Sequence, residues 1–523
     1  MNDAIDEEAE VVALLSAAET YSLPRGSVDV IETHCARVFL AGDQAFKVKK
    51  RVKLPFLDFT ILERRFSACR REIELNQPHA PTIYLGLRQI SRRADGILTL
   101  ENAGKTVDWA VHMRRFDQAS VLVRIADRGP LPAVLPQKLA VMVANYHRSA
   151  PRSSADQGSA RIYRLVEQLA SELSTGGDLI CENASTFSSL AHDHLFRNAR
   201  LLDQRAASGA LRRCHGDLHL GNIVMINSDP VPFDALEFDE ELATTDVFYD
   251  LAFLLMDLDH RGLRAEANGV INGYVGEAPL GSEIDGLACL PLFLACRSCV
   301  RAVVSLERAR QEQGPISDGL LREAQAFLTS SLQYLRPSPA IAIAIGGLSG
   351  SGKSTLGRIL APLLGRAPGA IHLRSDIERK RLAGVAEEHR LSRQYYTAET
   401  SKAVYQHLGD KSAATVASGH SVVTDAVFAR PDERLAIEEA ALRAGGRFLG
   451  FWLDAPEDQL TARVEARMGD ASDATADVVR SQLKFDLGPI SWHRLDASGD
   501  PRRVFEAAIA VLRAEGHIRD RPM

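Results

Sequence analysis

No cysteine lies beyond Cys299, acidic side chains outnumber basic ones by 68 to 62, and no apolar run is long enough to cross a bilayer. A spanning helix needs roughly 18 consecutive apolar residues, so no membrane-spanning helix is expected. The formal charge of -6 and a pI near 6.2 leave no global basic field of the kind nucleic-acid binders carry. A small anionic or neutral partner is the better expectation, with nucleic acid kept as the unfavoured alternative. The opening stretch MNDAIDEEAEVVALL is acidic and lacks an apolar h-region, so neither a signal nor a transit peptide is expected. The seven cysteines, an odd number, suit a reducing, cytoplasmic setting. Cys296 and Cys299 form a C-x-x-C, but no second pair completes a zinc site, and helix packing is their expected role. There is no internal repeat.

What is present divides the chain in two. A length of 523 residues exceeds one hydrophobic core. The segment LRPSPA, with Pro337 and Pro339, separates a helical pattern ending near Leu335 from the compact apolar run Ile341–Ile345. Domains are therefore expected over residues 1–336 and 340–523. In the second, a β-branched strand, the loop GLSGSGKS and an apolar-periodic helix follow one another, which is the context of a phosphate-binding loop. Further strands at AIHLRS, HSVVTDAVF and RFLGFWLDA alternate with helices, predicting an α/β fold with a parallel sheet.

The loop chemistry names residues. Gly347, Gly350 and Gly352 let the backbone approach phosphate, and Ser351 and Thr355 complete the nucleotide cradle. Lys353 neutralises the transferring phosphoryl group and Ser354 ligates Mg²⁺. Asp425, at the end of VVTDAVF, is either a second magnesium-side acid or a turn cap. Arg463 and Arg467 stand at i, i+4 on a helix before a polar loop, placed either as transition-state arginines on a lid or as a solvated face.

Upstream, VFLAGDQAFKVKK alternates around a Gly-Asp turn and predicts an antiparallel hairpin ending near Lys47, with Lys49 on the same face. A helix follows from about Leu62 to Leu75. Glu72 on that helix, with Glu74 as rival, is placed to hold the strand lysine. More strands follow at IYLGLRQISRR, ILTLENAG and VDWAVHMRRF, and the remainder is mostly helical. HGDLHLGN then supplies Asp217 to orient an attacking hydroxyl and Asn222 to bind metal. Asp234, in strand-like VPFDALEFD, is the second metal ligand; the preceding RAASGALRR is helix-like. His215 is placed to orient the loop.

These elements, in this order, resemble the aminoglycoside phosphotransferase and choline kinase family over roughly residues 25–330. The resemblance implies an α+β, protein-kinase-like bilobal fold, ATP, Mg²⁺, and transfer to a hydroxyl of a small molecule. The sequence departs from the kinase pattern in having AGDQ, not G-x-G-x-x-G, before Lys47. Over residues 340 to about 515 the chain resembles the small-molecule P-loop kinases, among them gluconate, shikimate and polynucleotide kinases. That resemblance makes Asp376, in LRSDIERKRL, the acid that contacts the acceptor hydroxyl, with Arg379 and Lys380 beside it for an anionic acceptor. The expectation is a bifunctional ATP-dependent kinase acting on small hydroxylated metabolites. The alternatives are a polynucleotide 5′-hydroxyl kinase and a nucleotide-gated regulator.

Overall fold

The computed structural model describes residues 2–518 apart from 25, 27, 34, 55–56, 155–156, 282, 387–388 and 467–471. Contacts divide the chain into two units, residues 1–156 with 206–257, and 157–205 with 258–523.

The first unit is built on a six-stranded antiparallel sheet. Its strands are β1 (Val28–Glu32), β2 (Ala36–Ala41) and β3 (Gln44–Lys49). After the short pair β4 (Lys53–Leu54) and β5 (Leu57–Asp58) come β6 (Tyr84–Arg92), β7 (Leu98–Thr99) and β8 (Lys105–Arg114). The order is β1-β2-β3-β8-β6-β7. The expected hairpin is there: Ala41 pairs with Gln44 across a two-residue turn at Gly42 and Asp43. Alternation along β3 divides its side chains. Phe46 and Val48 pack with Val11, Leu15 and Phe39 under the helix Asn2–Ser16, while Ala45 joins Leu40 and Cys69 on the side of the helix Leu62–Asn76. Lys47 and Lys49, at the same parity as Ala45, therefore meet that second helix. Arg65 anchors it through a buried ion pair with Asp108 at 2.8 Å.

Two local expectations are corrected. The stretch read as helical before HGDLHLGN ends its helix at Ala207, and β9 (Leu211–Arg213) pairs with β12 (Thr244–Asp246). Asp234 does not lie on a strand. The hairpin β10 (Ile223–Ile226) and β11 (Asp229–Pro232) ends before it, and Asp234 itself takes φ +61°.

The second unit joins long helices, among them Gly158–Leu173, Asp178–Ala207, Arg264–Glu277, Leu290–Gln311 and Pro315–Leu335, to a parallel sheet. Cys296 and Cys299 are buried in Leu290–Gln311, both thiols pushed up by burial, as packing residues are. The sheet strands are β13 (Ile341–Gly346), β14 (Ile371–Arg374), β15 (Val422–Asp425), β16 (Arg447–Asp454) and β17 (His493–Asp496), in the order β14-β15-β13-β16-β17. Every adjacent pair is parallel. Ile341, Ile343 and Ile345 form one core with the helices Lys353–Leu360 and Pro501–Ala514. β17 was not anticipated, because its sequence HRLD presents one buried residue in four.

Candidate active sites

In the first unit the site grows from the helix Leu62–Asn76. Glu72 is wholly buried, and both lysines reach it: Lys47 at 2.9 Å on one oxygen and Lys49 at 2.7 Å on the other. The choice between the lysines thus dissolves, whereas Glu74 is exposed and pairs with Arg70 and Arg71. Lys47 also pairs with Asp234, and Lys49 with Glu237. Burial alone would raise the Glu72 pKa, but the two ammonium groups prevail and hold it at about 2. Lys47, though desolvated, is held well above the usual lysine range by Asp234 and Glu72.

One turn beyond Glu72, Asn76 accepts a hydrogen bond from Ala235 N–H at 2.9 Å, so a single helix holds both the lysines and the segment carrying Asp234. The Asp234 N–H itself donates to the Tyr84 hydroxyl at 3.0 Å.

The HGDLHLGN loop is fixed by side chains that carry no motif. Asp250 accepts from Gly216 N–H at 2.8 Å and Asp257 from Leu220 N–H at 3.0 Å. Both acids lie on the helix Val247–His260, seven residues apart and so on one face. Acids at that spacing in the apolar run VFYDLAFLLMDLDH were the available signal, and sequence reasoning missed them. His215 ties the loop to the segment carrying Asp234: its Nε2 meets Phe233 O at 3.0 Å, and its own carbonyl accepts from Leu236 N–H at 2.9 Å. Burial depresses its pKa despite the acids around it, keeping the ring neutral. Asn222 Nδ2 donates to Asp217 Oδ2 at 2.9 Å. The structure thus brings Asp217 together with Asn222, and Lys47 with Glu72 and Asp234, and links the two groups through His215.

In the second unit the site is largely main chain. Gly347, Gly350 and Gly352 all take positive φ. At Gly350, with φ +88°, a Cβ would also lie 2.5 Å from Leu460 O, so a larger residue is doubly excluded. Lys353 opens the helix Lys353–Leu360, and Ser354 and Thr355 follow half-buried in its first turn. The Lys353 ammonium donates to Leu348 O at 3.0 Å, and Ser349 N–H donates to Gln482 Oε1 at 2.8 Å. Ser351 Oγ is buried with no hydrogen-bond partner. A cradle of donors with an orphaned hydroxyl fits a phosphate group.

Asp425 ends β15, buried, with His372 Nε2 at 2.7 Å and Arg374 Nε at 4.0 Å. Burial opposes its charge, but the His372 hydrogen bond and nearby positive groups prevail and keep it ionised. Asp376, in the first turn of the helix Ser375–Leu382, is pushed above the usual carboxylate range, first by burial and then by Asp425. The residues expected to grip an anionic acceptor are otherwise engaged. Arg379 donates to Tyr395 O at 3.0 Å, and Lys380, buried, pairs with Asp473 at 3.3 Å. Arg463, expected as a lid arginine, is engaged with main chain near β17: its guanidinium donates to Ala497 O at 2.8 Å and Gly499 O at 3.3 Å. Arg467 lies outside the described residues.

Comparison with known proteins gives two family matches, the first of which takes in parts of both units. Residues 116–287 match the phosphotransferase enzyme family (APH), and residues 343–486 match an AAA domain family (AAA_33). Fold and site define an ATP-dependent phosphotransferase of kinase type, with a kinase-like domain preceding a P-loop domain. The uncharacterized protein Rv2004c of Mycobacterium tuberculosis is 30% identical over 505 residues, covering 93% of this chain and 96% of its own. Uncharacterized protein Mb2027c of Mycobacterium bovis matches to the same extent. The chain belongs to the family of these mycobacterial proteins.

Among solved structures, a choline/ethanolamine kinase family protein from Mesorhizobium loti is 14% identical, covering 63% of this chain and 99% of its own, with a TM-score of 0.36. A gluconokinase from Sinorhizobium meliloti 1021 is 23% identical, covering 34% and 95%, with a TM-score of 0.25. Kinase families of this kind use ATP and Mg²⁺. No helix among the described residues is long and apolar enough to cross a membrane.

Proposed function

We propose that each domain transfers the γ-phosphoryl group of ATP to a hydroxyl of a small metabolite. The observation that carries this reading is the presence of two separate sets of groups suited to handling phosphate. One is Lys47, Glu72 and Asp234 beside Asp217 and Asn222; the other is the glycine-lined loop with Lys353, beside Asp425 and Asp376.

In the first site Asp217 is placed to orient the acceptor hydroxyl and take its proton, steadied by the Asn222 amide. Asn222 and Asp234 would hold Mg²⁺, which supplies positive charge against the negative charge that develops on the transferring phosphoryl group. Lys47 exchanges its ion pair with Asp234 for the nucleotide phosphates, while Glu72, still countered by Lys49, keeps it aimed. In the second site Lys353 and the loop amides bind phosphate, and Ser354 and Asp425 would hold Mg²⁺. Asp376, whose raised pKa suits a proton acceptor, faces the acceptor.

The test is ADP release from Mg·ATP across sugars, polyols, amino alcohols and oligonucleotides, with Asp217→Asn and Lys353→Ala beside the wild type. Acceptor-dependent release lost in one variant assigns substrate and domain together. If no acceptor raises release above basal hydrolysis, this reading fails and nucleotide-gated regulation replaces it.

A further inference from the structure

Among the described residues β14 ends the parallel sheet and pairs with β15 alone. Its Ile371 N–H donates to Ser421 O on the β15 side at 2.9 Å, so Ala370 and His372 turn their main-chain groups outward. An edge of this kind ordinarily leaves donors and acceptors unpaired. Here two asparagines one turn apart on the helix Arg264–Glu277 pair them. Asn272 Oδ1 accepts from His372 N–H at 2.7 Å, its Nδ2 donates to Ala370 O at 3.2 Å, and Asn268 Nδ2 donates to the same carbonyl at 3.0 Å. One side-chain amide thus supplies the donor and acceptor that a neighbouring strand would. Arg264, at the start of the helix, adds bonds to Pro362 O at 2.8 Å and Gly365 O at 3.1 Å.

The clipped residue is also the one that grips Asp425, through Nε2 at 2.7 Å. The phosphate helix makes room for it. Gly357 lies one turn beyond Lys353, and a Cβ there would fall 2.5 Å from His372 Nε2. Glycine is a poor helix former beside alanine, so its place against this ring has a packing reason.

We propose that Asn272 and His372 are positioning residues for Asp425: Asn272 fixes the main chain of β14, His372 then fixes the carboxylate, and the helix Arg264–Glu277 thereby sets the magnesium affinity of the P-loop site. The inference rests on Asp425 being the magnesium-side acid of that site. The helix lies within the residues that match the phosphotransferase family, 116–287, so the clip joins that segment of sequence to the P-loop chemistry.

The test uses the full chain and reads binding rather than turnover. The Mg²⁺ requirement for ADP binding is measured by calorimetry, counting the portion that Lys353→Ala removes. His372→Ala should raise the half-saturating Mg²⁺ concentration about 10-fold or more, the usual effect of losing a group that orients a metal ligand. His372→Gln, which keeps an N–H donor, should recover most of that loss. Asn272→Ala should raise it about 5-fold, the equivalent of one hydrogen bond. Without any nucleotide, Asn272→Ala should also speed hydrogen exchange at the His372 amide.

If Lys353-dependent binding is present and Asn272→Ala exchanges faster at His372 yet binds with the wild-type Mg²⁺ requirement, the inference is overturned and the functional reading stands. If no binding depends on Lys353, the functional reading falls and this inference with it. Should His372→Ala fail to fold, His372→Gln and Asn272→Ala decide the matter alone.

Discussion

Around Lys47, charged side chains from three separate segments meet in a network that is buried except at Asp234: two lysines from β3, Glu72 from a helix, and Asp234 with Glu237 from the loop beyond β11. Around Lys353 one contiguous loop provides main-chain amides, positive-φ glycines and a single ammonium. The first site stores its binding capacity in charges that neutralise one another until ligand arrives; the second holds it in a backbone shape that exists beforehand. The difference teaches where each should be vulnerable. A side-chain network loses stability and function together, whereas a backbone cradle loses function when its one charge is removed and keeps its fold.

The sharpest break comes from the single charges at the reacting centre. Lys353→Ala should lower P-loop transfer by about 10³-fold or more, since catalysis of this type is almost wholly electrostatic, with the melting temperature little changed. Asp217→Asn should lower transfer by the first domain about as much while leaving its ATP affinity within a few-fold, because the substitution spares the phosphate ligands. Acceptor-dependent ADP release and nucleotide titration check both; a Lys353→Ala chain that unfolds would erase the contrast.

Next in size is Glu72→Ala. Removing one partner of a buried ion pair costs about 3–5 kcal/mol, and here two lysines lose it, so denaturant melts should show the first unit unfolding early.

Acid then separates the units. Glu72 falls from its ordinary 4.5 to about 2 on folding, so the stability it contributes is present above pH 4.5 and lost as pH falls through about 2. His420 in the second unit is wholly buried, and burial, with the positive charge of Arg366, takes it from 6.5 to about 3. Its contribution is present above pH 6.5 and declines from there down through about 3, at up to about 1.4 kcal/mol per pH unit. The second unit should therefore weaken first on acidification, and His420→Gln should flatten that decline between pH 6.5 and 4.5.

The smallest effect is expected of Arg463→Ala. It removes two bonds to carbonyls, should cost about 1 kcal/mol of stability, and should leave transfer unchanged. A tenfold fall in turnover would restore the lid role expected from its helical spacing.

The same contrast explains what the sequence let one read. The phosphate loop is contiguous, so GLSGSGKS with its strand and helix was legible in full. The first site was legible as an ordered series, because β3 alternation put Lys47 and Lys49 on one face and HGDLHLGN spaced Asp217 from Asn222. What stayed hidden depends on groups distant in sequence. Asn76, Asp250 and Asp257 act by accepting main-chain N–H bonds, which any acid or amide can do and no motif records. The conformation of Asp234 was not foreseen, because φ +61° at a non-glycine residue leaves no trace in hydrophobic alternation. β17 escaped for want of apolar residues, being completed by its neighbour Phe451–Asp454. Arg379 and Lys380 are expected from the sequence to hold an anionic acceptor because the carbonyl and Asp473 that engage them come from elsewhere in the chain.

The asparagine clip on β14 has a practical corollary for protein production. A fragment starting at residue 340, where motif and proline punctuation invite a cut, would leave the outward Ala370 carbonyl and His372 amide bare, a template on which other chains can stack. Such a fragment should precipitate on concentration, and one beginning upstream of Arg264 should stay dissolved.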